Sequence, residues 1–237
     1  MEFLGQRLRH ELKYYIHPHE YLTLRGRVSS FLPLDGFSVG SEGYVIRSLY
    51  FDGIHDQALY DKSHGIFSRE KYRIRTYNGS DKTIKLERKS KYGEYVSKEA
   101  ASLTRDEYDR ILSGDVSFLA TSDKPLLVDF HSAVAHRGFR PAVIVEYTRE
   151  AYVYGPGDVR ITFDKRMAAG INSVDLFDHT RRAALEVIQD SRTIMEVKYN
   201  EFFPETVRQL VQPDSHQRSA ISKYLLCRET SLQHYKL

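Results

Sequence analysis

The sequence predicts a mainly β protein of the α+β class. The expected architecture is a closed antiparallel β-barrel tunnel with a basic, polar lumen. Helices pack outside it, and further helices close it at the C-terminal end. Three observations carry this expectation. Residues 69–91, REKYRIRTYNGSDKTIKLERKSK, read as two strands joined at Asn78-Gly79, a pair that tolerates the positive φ of a tight hairpin turn. Several strands alternate charged with large apolar side chains, and alternation puts the two sets on opposite faces. Basic residues crowd the charged faces, although the 237-residue chain carries a net charge of only +3.

Composition sets the outer bounds. Apolar residues make up 41% and charged residues 28%, an ordinary globular balance. The single cysteine, Cys227, excludes an internal disulfide and a cysteine metal cluster. No run approaches a membrane span, and no early apolar stretch reads as a secretory signal. The expectation is a cytoplasmic protein or a domain that faces the cytoplasm. An unidentified membrane partner is compatible with this. No linker or repeat divides the chain, so residues 1–237 read as one domain.

The elements follow in order. Residues 8–16, LRHELKYYI, alternate as a strand that ends at His17-Pro18. Tyr21, Leu24, Val28 and Phe31 recur at helical spacing over 19–32. Pro33 to Gly43 is a loop, and 44–51, YVIRSLYF, is a strand rich in β-branched and aromatic residues. A short helix over 56–63 leads into the central hairpin. A turn at Tyr92-Gly93 precedes a strand over 94–100. Thr104 and Glu107 form a capping-box pattern for a helix to Leu112. Residues 126–134 fit strand or helix. Residues 141–154 and 158–166 form a second hairpin around Gly155-Pro156-Gly157. Residues 172–190 are undetermined. A strand over 193–199 and two helices, over 201–211 and 215–228, close the chain.

Lys13, Arg73, Arg75, Lys85, Lys89, Arg149, Arg160 and Lys198 fall on the charged faces of these strands, with Glu11, Glu87, Asp164 and Glu196 among them. Ile74, Leu86, Val159, Ile161, Phe163, Met195 and Val197 fall on the opposite faces. An ordinary small barrel fills its interior with apolar side chains and turns its charges outward. Such an outer surface mixes signs, whereas here bases outnumber acids two to one. A concave basic cavity with a few carboxylates fits better. It suits a polyanion with a divalent cation, because guanidinium forks grip phosphate and carboxylates hold Mg²⁺ or Mn²⁺.

The chain resembles the VTC (vacuolar transporter chaperone) domain, a branch of the triphosphate tunnel metalloenzymes. The resemblance runs from about Arg9 to Arg228. It rests on RHELKYYIHP at 9–18, RSLYFD at 47–52, KYRIRTYNG at 71–79, KLERKSK at 85–91, VSKEA at 96–100, EYTREAYV at 146–153, DVRITFD at 158–164, MEVKY at 195–199 and SAISKY at 219–224. It implies an antiparallel tunnel. It also implies an ATP-dependent polyphosphate polymerase that moves the γ-phosphate of ATP onto inorganic polyphosphate with Mn²⁺ or Mg²⁺. The matching phosphate-binding positions are Lys13, Arg73, Arg75, Lys89, Lys98, Arg149 and Arg160. Tyr147 matches a lumen tyrosine, Glu196 the metal-binding glutamate, and Ser222 with Lys223 a Ser-Lys pair. Arg73, Arg75, Lys89, Arg149, Arg160 and Lys223 are therefore the expected catalytic set. Lys13, Lys98, Tyr147 and Ser222 are expected to bind substrate, joined by Lys85 and Lys198 from their shared faces.

Two positions depart from the pattern. Ala220 stands where the polymerases have lysine, and Arg9 stands where the wider superfamily opens with glutamate. A polyphosphate end is already ionised, so transfer needs positioning and charge neutralisation rather than a general base. A triphosphate or polyphosphate hydrolase and a catalytically silent polyphosphate-binding module are the alternatives. A nucleic-acid binder fits less well, since that role uses exposed basic and aromatic surface. Glu87 reads equally as a second metal ligand or as a partner for lumen cations, and Asp164 as a structural ion-pair residue. His17 and His19 lack any further metal ligand nearby, and Cys227 reads as a packed thiol.

Overall fold

The computed structural model describes residues 2–3, 6–7, 9–38, 40, 42–92, 95–178, 183–188, 190–212 and 218–235. Strands β1 (Glu2–Phe3) and β2 (Gln6–Arg7) form a small separate hairpin. The remaining strands are β3 (His10–Ile16), β4 (Tyr44–Asp52), β5 (Ser68–Tyr77), β6 (Ser80–Tyr92), β7 (Tyr95–Leu103), β8 (Arg140–Tyr154), β9 (Val159–Ile171), β10 (Ala183–Glu186) and β11 (Thr193–Tyr199). They make one 9-stranded sheet in the order β3-β11-β9-β8-β4-β5-β6-β7, with β10 added on β9. All its ladders are antiparallel. The helices are α1 (Pro18–Phe31), α2 (Gln57–Ser63), α3 (Arg105–Leu112), α4 (Pro125–Arg137), α5 (Glu205–Leu210) and α6 (Lys223–His234).

Local chemistry sets these boundaries. Asn78 and Gly79 both take positive φ, 53° and 67°, at the central hairpin turn. Pro18 fixes φ at the first turn of α1. The Thr104 hydroxyl accepts from the Glu107 N–H, while the Glu107 carboxylate accepts from the Thr104 N–H. The segment 126–134, open to either reading from sequence, is helical. Pro125 starts α4 and Gly138 ends it in the left-handed conformation. Gly43 enters β4 against β8, where a Cβ would lie 2.1 Å from the Arg149 carbonyl oxygen.

Two apolar layers cover the outer face. Ile74, Leu86, Tyr72 and Leu49 pack with Tyr108 and Ile111 of α3 and Phe130 of α4. Val159, Ile161, Phe163, Met195 and Val197 pack with Leu24 and Val28 of α1 and Val207 of α5. A third layer is on the inner face. Ile46, Val143, Val145, Met167, Ala169 and Ile194 pack there with Ile221, Tyr224 and Cys227. Helix α6 is thus seated on the concave side.

Two expectations need correction. The sheet does not close into a barrel: among the described residues the edge strands meet in one backbone bridge, Arg9 with Val96. Alternation reports which face a side chain takes, not whether the two edges pair. The last helix starts at Lys223, not near residue 215. The Ser219 N–H donates to the Lys13 carbonyl at 3.0 Å, which holds the preceding segment extended beside β3. Residues 213–217 lie outside the described residues, as do Leu8, Gly93 of the expected Tyr92-Gly93 turn, Glu94 and parts of 172–190.

Candidate functional site

Hairpin β5–β6 sets Arg73 opposite Glu87 and Arg75 opposite Lys85. Strand β11 sets Glu196 between Lys13 of β3 and Thr162 of β9. Alternation turns these side chains inward, where they gather on two acidic centres.

The first centre is Glu87, whose side chain is 1% exposed. Arg73 donates to its Oε2 through Nε at 2.8 Å and approaches through Nη2 at 2.7 Å. Arg75 stands 3.7 Å from the same oxygen, and Lys98 pairs with Oε1. Burial opposes ionisation of Glu87, but Arg73, Arg75 and Lys98 outweigh it and hold the carboxyl far below its ordinary range. Arg73 also donates to the Tyr50 hydroxyl at 2.7 Å. Arg75 donates to Ser48 at 3.1 Å and to Tyr147 at 3.2 Å.

The second centre joins Glu196, Asp164 and Glu11. Arg149 forks onto Asp164 with two bonds of 2.7 Å and lies 3.5 Å from Glu196. Lys223, at the start of α6, pairs with Glu196 and lies 2.7 Å from Asp164. Lys198 lies 3.0 Å from Glu196 and 3.5 Å from Glu11. Lys13 lies 3.6 Å from Glu196 and 3.5 Å from Glu11, and it donates to the Ile221 carbonyl. Lys89 donates to Glu11 at 2.9 Å. That contact links β6 to β3 across the concavity, near the open seam.

Burial opposes ionisation of Glu196 too, and Lys198, Lys223, Lys13 and Arg149 overcome it. Burial also works against the Lys223 ammonium, but Asp164 and Glu196 push it well up. Lys89 and Lys98 behave differently. Burial brings Lys89 down to about 7; Glu11 offsets this in part, while Lys13 and Lys198 add to it. Burial brings Lys98 down to about 8, against the pull of Glu87. Their side chains are 34% and 45% exposed, so lumen water reaches them while protein surrounds them.

Tyr147 lies between the centres. Its hydroxyl accepts from Arg75, and Lys223 stands 5.2 Å from its ring centre. Burial raises its phenol, but Arg149 and Arg75 bring it below the ordinary value. Arg160 stands apart, paired with Asp35 and donating to the Tyr44 hydroxyl at 2.9 Å. Lys85 is partly buried, with no ion pair to another described residue. The Ser222 hydroxyl caps α6 by accepting from Leu225, and it accepts from Lys71 at 3.4 Å. Ala220 is exposed in the extended segment before α6.

Other candidates fall outside the two acidic centres. His17 and His19 stack at 6.0 Å with no acidic or thiol side chain completing a metal set among the described residues. Cys227 is buried, its Sγ donating to the Ala168 carbonyl, and burial pushes the thiol well up.

Sequence reasoning missed a cation, Lys71, which shares the Arg73 and Arg75 face of β5 and stands 4.6 Å from the Tyr224 ring centre, and several partners of the cations. Asp35 belongs to a loop, where spacing carries no facial information. Tyr44, Ser48 and Tyr50 share a face of β4, and this periodicity was readable. Their roles follow only from the sheet order, which puts β4 between β5 and β8.

The VTC domain family matches residues 8–232. This chain belongs to the VTC domain family. No curated protein matches it. Solved structures are similar at low identity. The PH1819 protein of Pyrococcus horikoshii is 14% identical, covering 97% of this chain and 99% of that one, at a TM-score of 0.47. A Bacillus halodurans protein, named provisionally as an adenylate cyclase, is 10% identical, covering 98% and 89%, at 0.49. The Mimivirus capping-enzyme triphosphatase is 12% identical, covering 87% of each chain, at 0.41.

Proposed function

We propose that this VTC domain is an ATP-dependent polyphosphate polymerase that works in its concave basic lumen. One observation supports this above the rest: cations from both halves of the sheet and from α6 converge there, and they outnumber the carboxylates. At the two acidic centres Arg73, Arg75, Lys98, Lys13, Lys89, Lys198, Arg149 and Lys223 face Glu87, Glu11, Glu196 and Asp164. A chain of phosphates satisfies the surplus. Arg73 and Arg75 supply planar forks to one phosphoryl group, and Arg149 supplies another. Lys13, Lys198 and Lys223 neutralise oxygens beside them. Arg160 and Lys85 extend the basic surface along the same face.

Among the described residues no three acidic, histidine or cysteine side chains converge on a point. Both oxygens of Glu196 already face ammonium groups. This donor set suits a Mg²⁺ or Mn²⁺ that arrives with nucleotide, since such ions take one or two carboxylates plus substrate phosphates. Glu196 is the ligand of choice, with Glu11 alongside through the two lysines they share. When bound, the ion neutralises charge on the phosphate oxygens. ATP as donor puts this face of the protein on the cytoplasmic side.

The test is incubation with ATP and Mn²⁺, following ADP, phosphate and polymer separately. ADP with polymer is the expected product. Stoichiometric phosphate without polymer would make the domain a hydrolase. Binding without turnover would make it a silent polyphosphate-binding module.

A further inference from the structure

We infer that Glu87 sets the charge threshold for entry to the lumen: its carboxylate occupies the phosphate subsite of Arg73, Arg75 and Lys98 until a polyanion displaces it. This rests on reading the lumen as a polyphosphate site. Both Glu87 oxygens are engaged, Oε2 by the two guanidinium groups and Oε1 by Lys98. Two oxygens on one planar carboxyl thus take the place that two oxygens of a phosphoryl group would take. The register fixes this arrangement, because Arg73 and Glu87 are directly opposed and each is held by its own strand. The carboxylate leaves charge unanswered. One anion faces three cations, and Lys85, opposite Arg75, pairs with no described acid.

The consequence is selective. A tethered carboxylate competes at a high effective concentration, so a free anion with a single phosphate gains little by replacing it. A chain of phosphates reaches Lys85 and the second acidic centre at the same time. Its extra contacts come without a second association step, and they outweigh the loss of Glu87 from the arginines. The cost of displacing Glu87 falls on both anions alike, and only the chain has further contacts that outweigh it, so orthophosphate stays below the threshold.

The test is titration calorimetry of orthophosphate and of inorganic tripolyphosphate, at fixed ionic strength, on the wild type and on Glu87→Gln and Glu87→Asp. In Glu87→Gln the orthophosphate affinity is expected to rise about tenfold, the scale of one charge-assisted contact released. Tripolyphosphate affinity should rise by a similar factor, because it displaces the same carboxylate. Glu87→Asp, shorter by one methylene, should give intermediate affinities, and it serves alone if the Gln variant does not fold. An unchanged orthophosphate affinity in a folded variant overturns the inference while leaving the proposed function standing. Failure of the wild type to bind tripolyphosphate removes both.

Discussion

Glu150 and Glu196 are both buried strand carboxylates held by cations, one on each side of the same sheet. Glu150 faces outward beneath α1 and is 0% exposed. Arg25 and Lys165 pair with it at 2.6 and 3.1 Å, and the Tyr21 and Tyr152 hydroxyls donate to it. Its lone pairs are filled by these four donors. Glu196 faces inward, shared by Lys13, Lys198, Lys223 and Arg149. Those cations also answer to Asp164 and Glu11, and positive charge is left over. The outer cluster is complete as it stands, whereas the inner one is complete only with an anion from outside. Burial alone does not mark a functional carboxylate; the local imbalance around it does.

The largest expected effect tests this contrast directly. Glu150→Ala removes a fully buried acceptor shared by Arg25, Lys165 and the Tyr21 and Tyr152 hydroxyls and should cost about 3 kcal/mol, read by urea unfolding. Tripolyphosphate should not restore the loss, because the outer cluster lies away from the lumen. Glu196→Gln should also destabilise the anion-free protein, but there tripolyphosphate should recover most of the stability. The same variant should lose metal-dependent turnover while keeping nucleotide binding, since an amide is a poor ligand for a hard cation. Equal rescue of both variants would erase the distinction between the two faces.

Next in size is Arg73→Ala. It should weaken tripolyphosphate binding by about tenfold to a hundredfold, the range of charge-assisted hydrogen bonds. Its effect on anion-free stability should be small, because Lys98 and Arg75 still answer Glu87. Thermal shifts with and without tripolyphosphate read both quantities. A large loss of anion-free stability would move Arg73 into the structural class of Arg25.

The pH dependence is smaller. Unfolded, Lys89 and Lys98 keep their protons up to about 10.5, their ordinary value, whereas in the folded lumen they lose them near 7 and 8. The unfolded chain therefore binds more protons across that window, and these two groups make the anion-free protein more stable as pH rises through it. Anion binding runs the other way. Tripolyphosphate needs both ammonium groups, so its affinity should fall between about pH 6.5 and 9. Parallel pH trends for stability and affinity would contradict the assignment. Smallest is Thr104→Ala, which removes the α3 cap on the outer side. It should cost about 1 kcal/mol of stability, with binding and turnover unchanged.

Much of this layout is legible in the chain itself, because strand alternation is rigid. Arg73, Arg75, Lys85 and Glu87 take the inner face by parity, and Asn78-Gly79 fixes where the hairpin turns. Residues 193–199 form the strand that the alternation of MEVKY marks. What parity cannot carry is lateral and long-range information. The open edge between β3 and β7 is a question of neighbours, not of faces. The true start of α6 depends on Ser219 being held by Lys13, a tertiary contact that overrides local helical pattern. The apolar half of the lumen had a signal in PAVIV at 141–145, apolar on both faces. Such a strand is covered on both sides, and α6 is the cover.

The meeting of β3 with β11 and the α6 segment has a kinetic consequence. The Lys13 ammonium donates to a carbonyl 208 residues away in the chain, and among the described residues β3 forms its ladder on β11. Pairings this distant form late and slowly. Hairpin β5–β6 closes early, so its arginines and lysines are in place while the other wall is still unfolded chain. During that interval the half-built wall is an open basic surface. The charges shared across the seam, Lys89 with Glu11 among them, then draw the late strand onto the early hairpin.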